Sequence, residues 1–173
     1  IVGPDDPIVL PPKSQKTDFE VELGVVIGRR AAYVAVEEAL EHVAGYLIVH
    51  DVSERSYQLE RGGQWDKGKG CDTFGPIGPW LVTRDEIPDP QSLDLWLTLN
   101  GKTMQQGNTR TMIFSCAHLV SYVSQFMSLS PGDIITTGMP HGIGDEVYLK
   151  PGDVVEVEIA GLGILRNPVV PEV

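Results

Sequence analysis

Residues 18–28 read DFEVELGVVIG. Phe19, Val21, Leu23, Val25 and Ile27 take alternate positions, and Asp18, Glu20 and Glu22 take those between. Side chains alternate faces along a strand. This period of two therefore predicts a strand with one apolar face and a line of carboxylates, roughly 7 Å apart, on the other. Like charges at that spacing raise one another's pKa unless water or a cation relieves them. Two readings of the acidic face follow. It is the solvated side of an amphipathic strand, or two of its carboxylates ligate a hard divalent cation, which takes oxygen donors.

The rest of the chain bounds the setting. Its 173 residues, 42% hydrophobic and 21% charged, suffice for one domain with a sizeable core and not for two. A formal net charge of −11 argues against nucleic-acid or anionic-membrane partners, which reward clustered Lys and Arg. No apolar run approaches the ~20 residues that span a bilayer, and no signal-peptide pattern is visible. Cys71 and Cys116 stand in no metal or redox spacing, so reduced thiols in a cytoplasmic protein are expected. The opening IVGPDDPIVLPP lacks a Met, so an N-terminal segment is expected to precede it.

Working outward, AVEEALEHVAG (35–45) predicts a helix with Val36, Ala39, Leu40 and Val43 on one face and Gly45 as its stop. YLIVHD (46–51) is a nearly continuous apolar run, suited to a buried strand ending at Asp51. SERSYQLE (53–60) reads as a polar helix. The Gly- and Lys-rich stretch 61–79 reads as a long loop, a feature more often functional than not in a compact domain. LDLWLTLNGKTMQ (93–105) is a hairpin around Asn100-Gly101. SCAHLVSYVSQFMSL (115–129) predicts a helix capped by Ser115, with Leu119, Tyr122, Val123, Phe126 and Met127 as its core-facing stripe. DIITTG, VVEVEI and ILRNPVV read as strands, with Pro-Gly-Asp turns at 131–133 and 151–153. The coarse expectation is a mostly antiparallel β architecture with two or three helices.

Chemistry needs more than Glu20 and Glu22, because a hard cation takes several oxygens. Asp51, at a strand end, is the best third ligand, and its alternative role is to cap the following helix. Lys67 and Lys69 are either solvated loop lysines or, near a metal, a charge for a substrate carboxylate or oxyanion. His50 reads as a satisfied buried histidine before a catalytic one. His141, in TGMPHGIG, faces solvent or lines a mouth. No nucleophile elbow or Ser-His-Asp arrangement is present.

Six motifs then align in order: DFEVELGVVIG, YLIVHDVSER, KGKGCDTFGPIGPWLV, LNGKTMQQGNTRTMIF, SYVSQFMSLSPGDIITTGMPHGIG and LKPGDVVEVEIAGLG. Together they closely resemble the small bacterial-type branch of the fumarylacetoacetate hydrolase family, across nearly the whole chain. The resemblance implies a mainly β fold with a few helices, a mixed β-roll or sandwich of the family's C-terminal-domain type. Residues 1–173 would then form one catalytic domain, usually homodimeric. It assigns Glu20, Glu22 and Asp51 to a Mg²⁺ or Mn²⁺ site, with Asp18 as a flanking residue. Lys69 matches the family's substrate lysine, and Lys67 does not. Thr137 falls in the substrate-contacting T-G-T-P motif, which reads Thr137-Gly138-Met139-Pro140 here.

The implied chemistry is cleavage of a C–C bond in an acylpyruvate or diketo-deoxy sugar acid. The 2-oxo acid or 1,3-dicarbonyl would chelate the cation and pass through an enolate. The same enolate serves isomerase, decarboxylase or ureidoglycolate-type lyase chemistry, and a metal-binding but inactive module is the remaining alternative. Two departures matter. The family's upstream G-x-N-Y-x-x-H-x-x-E segment, whose His and Glu act as base pair, lies ahead of the first residue here. Met139 replaces the second Thr, and the loop after Gly144 looks short.

Overall fold

The computed structural model describes residues 1–140 and 147–172. In chain order the strands and helices are β1 (Ile8–Leu10), β2 (Thr17–Asp18), β3 (Val21–Ile27), β4 (Val43–His50), β5 (Ser53–Glu54), α1 (Arg55–Leu59) and α2 (Asp66–Lys69). There follow β6 (Ile77–Thr83), β7 (Asp94–Leu99), β8 (Lys102–Asn108), α3 (Cys116–Ser124), β9 (Ile134–Thr136), β10 (Val154–Ile159) and β11 (Gly163–Pro171). Two sheets carry the fold. One orders its strands β1-β11-β10-β7-β8 and the other β6-β4-β3-β9, with the short pair β2-β5 beside them. Every named pairing is antiparallel except β1 with β11. The mainly β class with a few helices is as expected.

The alternation in residues 18–28 decides how the sheets stack. On one face of β3, Val21, Leu23, Val25 and Ile27 join Ile48 of β4 and Leu97, Val155 and Val157 of the other sheet in one core. Fully burying one such side chain is worth about 1.5–3 kcal/mol, so this face fixes the register, because a one-residue slip would turn it away from that core. The opposite face is covered too: all seven residues of β3 are buried, and Glu20 and Glu22 are only 6% and 3% exposed. The solvated-face reading of the carboxylates is therefore wrong.

Local expectations meet the structure unevenly. The Asn100-Gly101 hairpin forms, with positive φ at both residues as a type I′ turn requires. The two Pro-Gly-Asp turns share one construction: Asp133 accepts from the backbone N of Ser130, and Asp153 from that of Lys150. The helix expected over 35–45 is a 3₁₀ helix, Val36–His42, and Val43 and Gly45 already belong to β4. The long loop holds the single turn α2. Among the described residues, no helix is long and apolar enough to cross a membrane.

The α3 stripe is a correction. Ser115 caps the helix, accepting from the backbone N of His118, and Val123 of the expected stripe packs partly buried against the core, but Tyr122, Phe126 and Met127 are 56%, 71% and 61% exposed. The inward face is instead Cys116, Val120, Ser121 and Ser124. Small residues win this face because the chain around Val34 presses close against it. Ser121 Oγ donates to the Val34 carbonyl, and Ser124 Oγ accepts from the Val34 N–H.

Candidate active site

The outer face of the β6-β4-β3-β9 sheet is the floor of a cavity of about 840 Å³. Register explains which side chains reach it. Val21 pairs with His50, and Asp51 N donates to the Glu20 carbonyl, so Asp51 arrives beside Glu20 on the face that also carries Glu22. Carboxylate oxygens of Glu20, Glu22 and Asp51 lie within 4.8 Å of one another. Three hard oxygen donors at that spacing fit a small divalent cation such as Mg²⁺ or Mn²⁺.

Two cations hold the cluster together. Lys69 Nζ lies 2.7 Å from Glu20 and 2.6 Å from Asp51, and Arg55 pairs with both Glu20 and Asp18. Lys69 gets there because Gly68 lets α2 press onto α1; a Cβ on Gly68 would stand 2.6 Å from the Glu54 carbonyl oxygen. Burial would push the Glu20 carboxyl up, but Arg55 and Lys69 outweigh it and hold it below the usual range. Asp51 sits above its usual value because burial outweighs the Lys69 ammonium. Burial works against the Lys69 charge, yet its bonds to Asp51 and Glu20 hold it protonated. Among the described residues, no cationic side chain forms an ion pair with Glu22. Burial pushes it up to about 7, against a 2.8 Å hydrogen bond from the Gly138 N–H and with Asp51 and Glu20 adding to the rise.

The other candidates fall as follows. Lys67 bonds the Arg61 carbonyl at the surface and stays out of the cluster. Asp51 does not cap α1; Glu54 does, accepting from Ser56 N. His50 is fully buried, with burial lowering its pKa to about 3, but neither ring nitrogen has a hydrogen-bond partner among the described residues. It is buried as expected and not satisfied as expected. Thr137 sends its hydroxyl to the Leu23 carbonyl and lines a neighbouring cavity, whereas Thr136, Gly138 and Met139 line this one. His141 and the loop residues up to 146 lie outside the described residues. Cys71 and Cys116 are both free.

Sequence reasoning missed Arg55 and Gln58, both in the cavity wall and bonded to each other. They are three apart on one side of the helix that follows Asp51, and that helix, Arg55–Leu59, is too short to show a stripe in the sequence.

Comparison with known proteins fits this arrangement. The family model described as fumarylacetoacetate (FAA) hydrolase C-terminal matches residues 1–170. The chain belongs to the fumarylacetoacetate hydrolase family. A Burkholderia multivorans protein named "Putative hydrolase" is 62% identical over 168 residues, covering 94% of this chain and 60% of that protein. The chain thus spans about 60% of the length of that curated relative. The crystal structure of a 5-carboxymethyl-2-hydroxymuconate delta-isomerase from Mycobacterium smegmatis is 40% identical with a TM-score of 0.92, over 99% of this chain and 65% of that one. A fumarylacetoacetate hydrolase from Exiguobacterium antarcticum is 39% identical with a TM-score of 0.94, over 98% of this chain and 62% of that one. Family members so named include both hydrolases and isomerases.

Proposed function

We propose that this domain is the metal-binding catalytic part of a Mg²⁺- or Mn²⁺-dependent hydrolase that cleaves a C–C bond in an acylpyruvate or diketo-deoxy sugar acid. The observation that carries the reading is the convergence of Glu20, Glu22 and Asp51 within 4.8 Å beside Lys69 in a large cavity. Glu20, Glu22 and Asp51 would hold the divalent cation, which would supply Lewis-acid polarisation of the substrate when bound. The chain's own groups do the rest. Arg55 keeps Glu20 ionised and oriented, and the Gly138 N–H does the orienting for Glu22. Lys69 Nζ neutralises the substrate carboxylate or a developing oxyanion. Thr137 stays in this proposal as a substrate-side residue.

A second reading keeps the site and changes the outcome to isomerisation. The name of the Mycobacterium smegmatis neighbour favours it. Product analysis separates the two, since hydrolysis gives two acids and isomerisation conserves mass. We further place the protein in the cytoplasm as a homodimer, without nucleic-acid or membrane partners. The exposed rings of α3 support the dimer.

Calorimetric titration of Mg²⁺ and Mn²⁺ tests the site. Glu20→Ala or Asp51→Ala should abolish saturable binding with the fold intact by circular dichroism. Unchanged metal affinity in either variant would sink the assignment. Lys69→Met should retain the metal and lose at least roughly tenfold in oxalate affinity, as expected for one buried charge-assisted hydrogen bond.

A further inference from the structure

The catalytic cavity shares a wall with a second cavity of about 380 Å³. Gly138 and Met139 line both. Beyond them the smaller space is bounded by Leu95, Met112, Leu119 and Pro140, with Asn108, Thr109 and Thr111 beside them, and none of its described lining residues is charged. Met139 therefore stands between a chamber that holds the ionic cluster and one whose described lining is uncharged and carries an apolar wall.

The partition is held from the site itself. Gln105 is buried, its side-chain carbonyl accepts from Val21 N at 2.9 Å, and its amide donates to the Met139 sulfur. Val21 lies between Glu20 and Glu22, so the Met139 side chain is tied to the strand that presents both carboxylates. Gly138, one Cα step of about 3.8 Å away, bonds Glu22 directly. Met139 therefore stands in the cavity wall one residue from the backbone group that bonds a carboxylate of the cluster. An unbranched thioether is also the apolar side chain best able to swing aside, having three rotatable bonds.

We propose that the second cavity is a subsite for the uncharged aliphatic tail of the substrate, and that Met139 is the movable partition between head and tail. The inference rests on the proposed binding of a 2-oxo acid at Glu20, Glu22 and Asp51, and it narrows that class to 2-oxo acids with an apolar tail. A carboxylate at the far end would enter a space with no cationic side chain among the described residues, at a desolvation cost.

The test is calorimetric binding to Mg²⁺-loaded protein of pyruvate, 2-oxobutanoate, 2-oxohexanoate, 2-oxooctanoate and the dicarboxylate 2-oxoadipate. Affinity should rise roughly fourfold for each methylene that passes Met139. 2-Oxoadipate should bind at least roughly tenfold more weakly than 2-oxohexanoate, because its terminal charge is unpaired. Met139→Ala should start the rise at shorter chains, and Leu119→Trp should flatten it. A flat wild-type series, or equal binding of 2-oxoadipate and 2-oxohexanoate, overturns the tail subsite while pyruvate binding leaves the head-group reading intact. Absence of pyruvate binding removes that reading and the tail subsite with it. If Met139→Ala fails to bind Mg²⁺ as folded protein does, the wild-type series and Leu119→Trp decide.

Discussion

Glu22 is the site residue whose ionisation costs most. It is 3% exposed, and burial raises its pKa from 4.5 to about 7. The folded value lies above the unfolded one, so folding takes up a proton between them. The resulting stabilisation is complete below about 4.5 and is lost as the pH rises through about 7. That loss amounts to about 3 kcal/mol for a shift of this size. In chelator-treated protein, Glu22→Gln should therefore gain on wild type by about that much between pH 4.5 and pH 8 in urea melts. A gap that does not change with pH would refute the assignment of the shift to Glu22. Excess Mg²⁺ should restore wild type at pH 8 and help the variant less.

The three carboxylates were legible as candidates because a strand's period of two puts Glu20 and Glu22 side by side, and an apolar run ending in Asp51 is a strand end; the family resemblance, not the spacing, chose the metal-ligand reading over a solvated face and a helix cap. Arg55 and Gln58 were not legible as site residues. A five-residue helix shows no stripe, and its facing is set by how Gly68 lets α2 pack against it.

At the scale of elements, the joint that aims α1 is Glu54. Its fully buried side chain accepts hydrogen bonds from Ser14 Oγ, Thr17 Oγ1, Lys16 N, and the N and Oγ of Ser56. Burial pushes its carboxyl up, and the bonds from Ser14, Ser56 and Thr17 outweigh it and bring it below its ordinary value. One carboxylate thus pins the approach to β2, the β2-β5 pair and the start of α1, and through Arg55 it sets the angle of Glu20. Glu54→Ala strands several donors and should cost on the order of 3 kcal/mol or more in chemical denaturation. A loss under about 1 kcal/mol would mean that water replaces the carboxylate without penalty. No sequence pattern announced this joint, because its partners come from stretches about 40 residues apart. The α3 stripe failed for a related reason. Hydrophobicity marked the larger side chains, but the tight approach of the Val34 segment admits only small ones, and two serines pair there with backbone groups that would otherwise be buried unbonded.

For the molecule as a whole, that failure leaves a surface to account for. Phe114, His118, Tyr122 and Phe126 form a continuous ladder on the outside of α3, with ring centroids 4.7, 6.0 and 5.0 Å apart. Phe114, Tyr122 and Phe126 are each more than half exposed. Aromatic rings of this kind are enriched where protein surfaces meet. In the proposed homodimer the second copy covers this ladder. Tyr122→Glu with Phe126→Glu should then halve the mass measured by light scattering, while changing the stability of the protomer by no more than about 0.5 kcal/mol. A double variant that keeps the wild-type mass would move the interface elsewhere.

Ile1 is part of the candidate cavity's wall, next to Gly75, and Val2 beside it pairs with Pro76. Val2 N donates to the Gly75 carbonyl and Ile77 N donates to the Val2 carbonyl, so backbone bonds stitch this stretch to the start of β6. For protein engineering the consequence is a wall whose lining can be exchanged without disturbing its mounting. Substitution at Ile1 resizes the cavity while leaving the carboxylates and the bonds that hold the wall in place.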